Sequence, residues 1–297
     1  MAQDVLQDLI EQLALERIEA NLFRGQSQNL GWGAVFGGQV LGQALSAAAQ
    51  TTPDDRFVHS MHAYFLRTGD PESPIVYDVD RIRDGRSFTT RRVVAIQAGR
   101  PIFNMSASFQ IEEPGFEHQD TMPEVPPPED VISEKDLATM VVAHLPEKLR
   151  KRATSERAIE IRPINPWNPL RPTPRAPTRA VWLKAAHKLP ENPKLHAYLF
   201  SYASDFNLLG TSLMPHAVSW LTPGMQVASL DHAMWFHRRF RMDEWLLYVL
   251  DSESASGGRG LTRGRLFDRS GQLVASVAQE GLIRNRNLTP EPSQEET

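Results

Sequence analysis

The sequence predicts an α+β chain made of two similar units, and three observations carry that prediction. Short residue blocks recur in the same order in the two halves. Each half sets one apolar, small-residue segment ahead of several runs with the two-residue period of strands. Proline gathers between the halves. A helix followed by antiparallel strands, occurring twice, is an α+β pattern.

The repeat is the most informative feature. Gly37-Gly38-Gln39-Val40-Leu41-Gly42-Gln43-Ala44-Leu45 lines up with Asp205-Phe206-Asn207-Leu208-Leu209-Gly210-Thr211-Ser212-Leu213, at an offset of 168. His62-Ala63-Tyr64-Phe65 matches His232-Ala233-Met234-Trp235 at 170. Gly85-Arg86-x-x-Thr89 matches Gly258-Arg259-x-x-Thr262 at 173, and the turn residue Gly99 matches Gly271 at 172. Four blocks in order with offsets drifting by a few residues indicate duplication with small loop changes.

Taken along the chain, Val5, Leu6, Leu9, Ile10 and Leu13 recur at helical spacing, so the N-terminus reads as an amphipathic docking helix. With Asp4, Asp8 and Glu11 early and no unbroken apolar core, it does not read as a signal peptide. Gly37–Ala49 is the first small-residue helix. Ile75, Tyr77 and Val79 alternate, Thr89–Gln97 follows, and Phe103, Met105, Ala107 and Phe109 fall on one strand face. Eleven of the 22 prolines lie in 114–128 and 163–177. Proline lacks a backbone donor, so these stretches are excluded from central strands and helix interiors. The region 112–178 therefore reads as a connector, with a short helix at Glu134–Arg152 where Leu137, Val141, Leu145 and Leu149 recur.

The second half repeats the scheme: a helix at Asp205–Leu213, then strands at Met234–Phe240, Trp245–Ser252, Leu261–Asp268 and Leu273–Ile283. Ile96–Gly99 and Asp268–Gly271 read as hairpin turns. Gly42 and Gly210 sit mid-helix, at about 1 kcal/mol each against alanine; close packing of helix on sheet is the expected offset. The units are thus 1–111, connector 112–178, 179–287, and a polar tail 288–297.

Composition excludes several classes. The 297 residues carry 32 basic and 36 acidic side chains, a net charge of −4, which argues against a nucleic-acid binder. All six lysines lie between Lys135 and Lys194, and the other basic residues are arginine. Cysteine is absent, so disulfides, zinc–thiolate sites and a cysteine nucleophile are excluded within the chain. No run of 18 apolar residues predicts a membrane span. There is no G-x-S-x-G elbow, G-x-G-x-x-G, P-loop or H-E-x-x-H. No metal site is expected, and a cytoplasmic location is.

Several strings resemble the type II acyl-CoA thioesterases. They are Val35–Leu45 (VFGGQVLGQAL), Val58–Arg67 (VHSMHAYFLR), Gly85–Val93 (GRSFTTRRV), Gly115–Gln119, Tyr202–Asn207 (YASDFN), Ser229–Arg238 (SLDHAMWFHR), Glu244–Tyr248 and Val274–Gly281 (VASVAQEG). The resemblance runs from about Leu6 to Asn287. It implies a double hotdog: two fused units, each a long helix wrapped by an antiparallel sheet. It implies hydrolysis of fatty acyl-CoA, with no cofactor beyond the coenzyme A of the substrate, in a homodimer or homotetramer.

The same resemblance implies a site of an aspartate, a hydroxyl and a glutamine, which map to Asp205, Ser229 and Gln279. Many members carry threonine where this chain has Ser229; the hydroxyl is kept and the methyl that restricts χ1 is lost. In the repeat these residues align with Gly37, His59 and Ala107, so one complete site per chain is expected. The residue types suit thioester hydrolysis. A carboxylate can act as general base, worth about 10²–10⁴-fold, and a hydroxyl and an amide can orient water. Asp205 and Gly37–Gly38 each open a predicted helix with free N–H groups, making Gly38 the candidate oxyanion donor.

On residue type alone, Asp205 is also a good helix N-cap, Ser229 an ordinary strand-edge serine, and Gln279 a satisfied polar residue. His59 and His62 are weaker candidates for the base. Arg86 and Arg259 suit coenzyme A phosphates, although their matched positions favour a turn role. Asp231 and His232 are adjacent in a strand and should face opposite ways. Trp235, Phe236, Trp245 and Tyr248 read as core. Two other functions fit the scaffold: a hotdog enoyl-CoA hydratase, which would carry an Asp–His or Glu–His pair, and a non-catalytic acyl-CoA binder.

Overall fold

A computed structural model describes residues 2–31, 33–144, 147, 150 and 154–287. The N-terminal unit holds α1 (Ala2–Ala14), β1 (Glu16–Arg17), β2 (Leu22–Gly25), α2 (Gly37–Ala49), β3 (Phe57–Phe65), β4 (Ile75–Asp84), β5 (Phe88–Gln97) and β6 (Arg100–Gln110). Then come α3 (Glu134–Val141), β7 (Ile159–Ile164), β8 (Thr178–Ala185), α4 (Pro193–Ser204) and α5 (Leu208–Leu213). The chain continues with β9 (Met225–Ser229), β10 (Asp231–Phe236), β11 (Leu246–Ser256), β12 (Arg259–Asp268) and β13 (Leu273–Asn285).

The strands form one antiparallel sheet in the order β1-β2-β4-β5-β6-β3-β10-β13-β12-β11-β8-β7, with β9 added to β13. The order 2-4-5-6-3 is repeated, mirror-wise, as 8-11-12-13-10, so the duplication read from the sequence is present in the topology. At the seam Asp231 pairs with Tyr64 and Met234 with Met61. The sequence offset of 170 turns one of these pairs into the other. A contact that maps onto itself in this way marks a two-fold axis, here between two halves of one chain.

Strand burial follows the alternation. Ile75, Tyr77 and Val79 are buried on β4, and Phe103, Met105, Ala107 and Phe109 on β6. The β5–β6 turn has positive φ at Ala98 and Gly99, the geometry whose twist suits a two-residue hairpin. Leu6, Leu9 and Leu13 of α1 are buried, as expected of a docking helix.

Three expectations are corrected. The connector 112–178 contains a strand, β7, which pairs with β8 and includes Pro163. It lies at the edge of the sheet, where a missing backbone donor is tolerated. The helix expected at Glu134–Arg152 starts as α3 and is interrupted by a 3₁₀ turn at Val142–His144, while Glu147 and Arg150 are helical again. Leu145, Leu149 and Arg152 lie outside the described residues, as does the tail 288–297. The helix expected at Asp205–Leu213 is only α5, six residues long, and a 12-residue helix, α4, precedes it. Asn192 caps α4 by accepting from the Lys194 N–H, and Pro193 occupies its first turn.

Helices α2 and α4 pack antiparallel at the centre. A Cβ on Gly38 would stand 2.1 Å from the Tyr202 carbonyl, and one on Gly42 3.0 Å from the Tyr198 carbonyl. Gly42 therefore serves helix-on-helix packing and not helix-on-sheet packing. Gly210 has only Arg179 Nη1 nearby, at 3.7 Å, and no close approach requires a glycine there. Within the connector, Gln119 donates to the Gly271 carbonyl and accepts from the Leu273 N–H, strapping this segment onto the β12–β13 turn.

Candidate active site

Asp205 is the C-cap of α4 and not the N-cap of a helix. The chain turns sharply after it: Asn207 adopts φ 69°, a left-handed conformation that asparagine tolerates better than most residues, and α5 begins at Leu208. This break aims the Asp205 side chain at the N-terminus of α2. Ser229 is the last residue of β9 and pairs with Gly281 on β13. Gln279 lies two residues before Gly281 on the same strand. One strand thus carries both remaining groups to the carboxylate.

The three residues meet. Gln279 Nε2 donates to Asp205 Oδ1 at 2.8 Å, and Ser229 Oγ donates to the same oxygen at 3.2 Å. The Gly38 N–H donates to Asp205 Oδ2 at 3.1 Å. Gly38, expected to hold an oxyanion, is instead directed at the carboxylate. A Cβ on Gly37 would lie 2.7 Å from Asp205 Oδ2, so a glycine at the start of α2 leaves the space that the carboxylate occupies. Helix α4 and not α5 is the structural counterpart of α2, so the sequence alignment of Asp205 with Gly37 does not hold in the fold. Burial raises the Asp205 carboxyl above its ordinary value of 3.8, against the pull of the three hydrogen bonds.

Aromatic rings and buried hydrogen bonds surround these groups. Phe36 stacks on Phe206 at 4.7 Å and meets Tyr202 edge-on. Tyr248, fully buried, donates to the Ser204 carbonyl at 3.1 Å. Its hydroxyl is held far above its ordinary range by burial and, secondarily, by the Asp205 charge. Ser204 Oγ donates to the Ser201 carbonyl and therefore accepts from His232 Nε2 at 2.9 Å. Burial lowers His232 to about 3, so it is neutral, with its proton on Nε2. Asp231 accepts from the Glu280 N–H instead, so the adjacent pair faces opposite ways as expected.

The other candidates lie elsewhere. His59 Nε2 is 2.8 Å from Ser108 Oγ, in a cavity of about 230 Å³ lined by Arg56, Phe109, Lys194, Tyr198 and Arg239. Phe65, at the opposite end of β3 from His59, donates its N–H to the Leu230 carbonyl beside Ser229. Six residues of strand separate His59 from Phe65, about 20 Å. His62 packs edge-on against Trp235 on the outer face of the sheet, where Trp235 is 37% exposed and is not core. Arg86 sits exposed in the β4–β5 turn, where its carbonyl accepts from Arg56. Arg259 is paired with Glu280 at 2.9 Å. Neither arginine reaches Asp205 in these contacts.

Sequence reasoning missed α4, which sets the direction of Asp205. Asn192-Pro193 ahead of Leu195, Leu199 and Phe200 was the available signal.

A chain of two fused helix-and-sheet units, with one carboxylate held by an amide, a hydroxyl and a helix N-terminus, has the form of a double hotdog hydrolase. Residues 149–282 match the family model described as acyl-CoA thioesterase, and 27–110 match the acyl-CoA thioesterase N-terminal domain. The chain is 46% identical over 281 residues to acyl-CoA thioesterase 2 of Haemophilus influenzae, covering 95% of this chain and 98% of that one. It resembles the crystal structure of an acyl-CoA thioesterase II from Mycobacterium marinum, with a TM-score of 0.77 and 43% identity over 96% of this chain and 99% of that one. A hotdog-fold protein from Alicyclobacillus acidocaldarius superposes with a TM-score of 0.73 at 19% identity, covering 93% of this chain and 98% of that one, which speaks to the fold alone. The chain belongs to the acyl-CoA thioesterase family, whose members are thioester hydrolases.

Proposed function

We propose that this chain hydrolyses fatty acyl-CoA to a free acid and coenzyme A by direct attack of water, with Asp205 as general base. The observation that carries this reading is the convergence of Gln279, Ser229 and the α2 N-terminus on one carboxylate. Asp205 takes a proton from water as its oxygen bonds to the thioester carbon. The negative charge moves to the carbonyl oxygen, beside the positive end of the α2 dipole. Collapse re-forms the carbonyl and breaks the C–S bond, and Asp205 returns its proton to the departing thiolate. Ser229 and Gln279 fix the carboxylate and the water, which lowers the orientational cost of attack. No metal or redox cofactor enters these steps. The same reading has the enzyme acting in the cytoplasm as a homodimer or homotetramer, with the oligomeric state open to light scattering.

A hydratase of this fold would pair its acid with a histidine. Here His232 is neutral and bonded to Ser204, which argues against that chemistry. A passive acyl-CoA binder would not release thiol. The test is thiol release from short, medium and long acyl-CoAs by wild type and Asp205→Asn; with no cysteine in the chain, the protein adds no thiol background. The expected result is release by wild type and a loss of about 100-fold or more in the variant. Binding without release at any chain length would overturn the enzymatic reading.

A further inference from the structure

At the catalytic end, two buried side-chain oxygens have no hydrogen-bond partner among the described residues: Thr262 Oγ1 and Gln279 Oε1. Both residues are fully buried, and they are directly paired on β12 and β13. Directly opposed residues of antiparallel strands share a face, with Cβ atoms about 4.5–5.5 Å apart. The chemistry of the two atoms is complementary: a hydroxyl can donate, and an amide oxygen can only accept. Buried polar groups are rarely left unpaired, because each has given up water for nothing. The repeat adds a contrast. Thr89, the counterpart of Thr262 in the Gly-Arg-x-x-Thr block, is also buried, but it is paired with Phe109, which offers no acceptor. Only in the catalytic half does this threonine face an amide.

We propose that Thr262 is a positioning residue, its hydroxyl donating to Gln279 Oε1 either directly after a turn about χ1 or through one bridging water, and so holding the amide with Nε2 toward Asp205. A carboxylate accepts hydrogen bonds and cannot donate them, so the amide serves the base only in this orientation. Turned over, it would set its oxygen against Asp205 Oδ1, repelling the charged base and welcoming the protonated one. The Thr262 hydroxyl thereby favours the form of Asp205 that can accept a proton from water. The inference rests on the reading of Asp205 as the general base.

The experiment compares wild type, Thr262→Val and Thr262→Ser. Valine keeps the shape and removes the donor; serine keeps the donor. Thr262→Val should lose about tenfold in kcat, the size expected for one such hydrogen bond. Its KM should stay within twofold, and the acid limb of its pH profile should move to higher pH. Thr262→Ser should keep wild-type kcat within twofold and the wild-type limb. A Thr262→Val enzyme with unchanged kcat and pH profile would overturn the proposal, as would a serine variant as impaired as the valine one, since packing would then be the cause. A second readout needs no turnover: the side-chain amide signals of Gln279 in ¹⁵N NMR, assigned by their loss in Gln279→Ala. They should exchange with solvent at least about tenfold faster in Thr262→Val than in wild type, and equal exchange would overturn the pairing. If wild type releases no thiol, the proposed function has failed, and the amide exchange alone then decides the Thr262–Gln279 pair.

Discussion

The two ends of the α2–α4 pair are built from the same parts and hold different chemistry. At one end the N-terminus of α2 meets the C-terminus of α4, β3 ends at Phe65, and Ser229 precedes β10. At the other the C-terminus of α2 meets the N-terminus of α4, and β3 begins beside the end of β10. The seam register relates these two ends by the internal two-fold. The first holds Asp205 with three donors. The second holds His59, bonded to Ser108, in a cavity edged by Arg56, Lys194 and Arg239. Its charged groups are matched there: Lys194 with Asp54, and Arg239 with Glu112. Duplication supplied two equivalent clefts, and they differ in a C-cap as well as in His59 for Ser229 and Ala107 for Gln279. Only α4 ends on a carboxylate; α2 ends on Gln50.

Substitutions can break this comparison. The largest effect after loss of Asp205 itself belongs to Gln279→Ala, which removes the shortest bond to the carboxylate; kcat should fall about 100-fold or more, as for loss of a single preorganised donor. Gly37→Ala comes next, since its Cβ would displace Asp205 Oδ2; misplacement on the ångström scale costs about 100-fold at most. A Gly37→Ala enzyme with wild-type kcat would mean that the carboxylate position does not set the rate. Ser229→Ala should lose about tenfold, with Ser229→Thr restoring wild-type turnover, in line with one hydrogen bond to a charged group. Steady-state kinetics read all three.

The smallest effect on turnover, and a measurable one on stability, belongs to His232. Its folded value of about 3 lies below the ordinary histidine value of 6.5 because the ring is buried. The folded state therefore binds fewer protons than the unfolded state between these values. The contribution of His232 to stability is complete above pH 6.5 and is lost as pH falls toward 3, at about 1.4 kcal/mol per unit at most. Thermal melts from pH 7 to 4 should fall more steeply for wild type than for His232→Gln. Parallel curves would contradict the assignment of a neutral, buried ring.

Much of this was legible in the sequence, for identifiable reasons. Strands β4 and β6 announced themselves through two-residue alternation, and the β5–β6 and β12–β13 hairpins through glycine turns. Asp205, Ser229 and Gln279 were singled out by the resemblance, and the structure brings them within hydrogen-bonding distance. The direction of Asp205 was not legible, because a carboxylate ahead of an apolar run reads as an N-cap; only the unrecognised helix α4 makes it a C-cap. Strand β7 was hidden by Pro163, since the sequence does not say that this strand lies at the sheet edge. Gly42 was given the wrong neighbour because the antiparallel contact with Tyr198 spans more than 150 residues.

The claim that one end of the duplicated scaffold does the chemistry is tested most directly by the pH dependence of kcat/KM for wild type and His59→Ala. Both enzymes should show the same acid limb, placed above the ordinary aspartate value because burial raises Asp205, with turnover in His59→Ala within about twofold of wild type, as for a residue outside the reacting groups. An acid limb that moves or vanishes when His59 is removed would place the base at the other end and contradict the account.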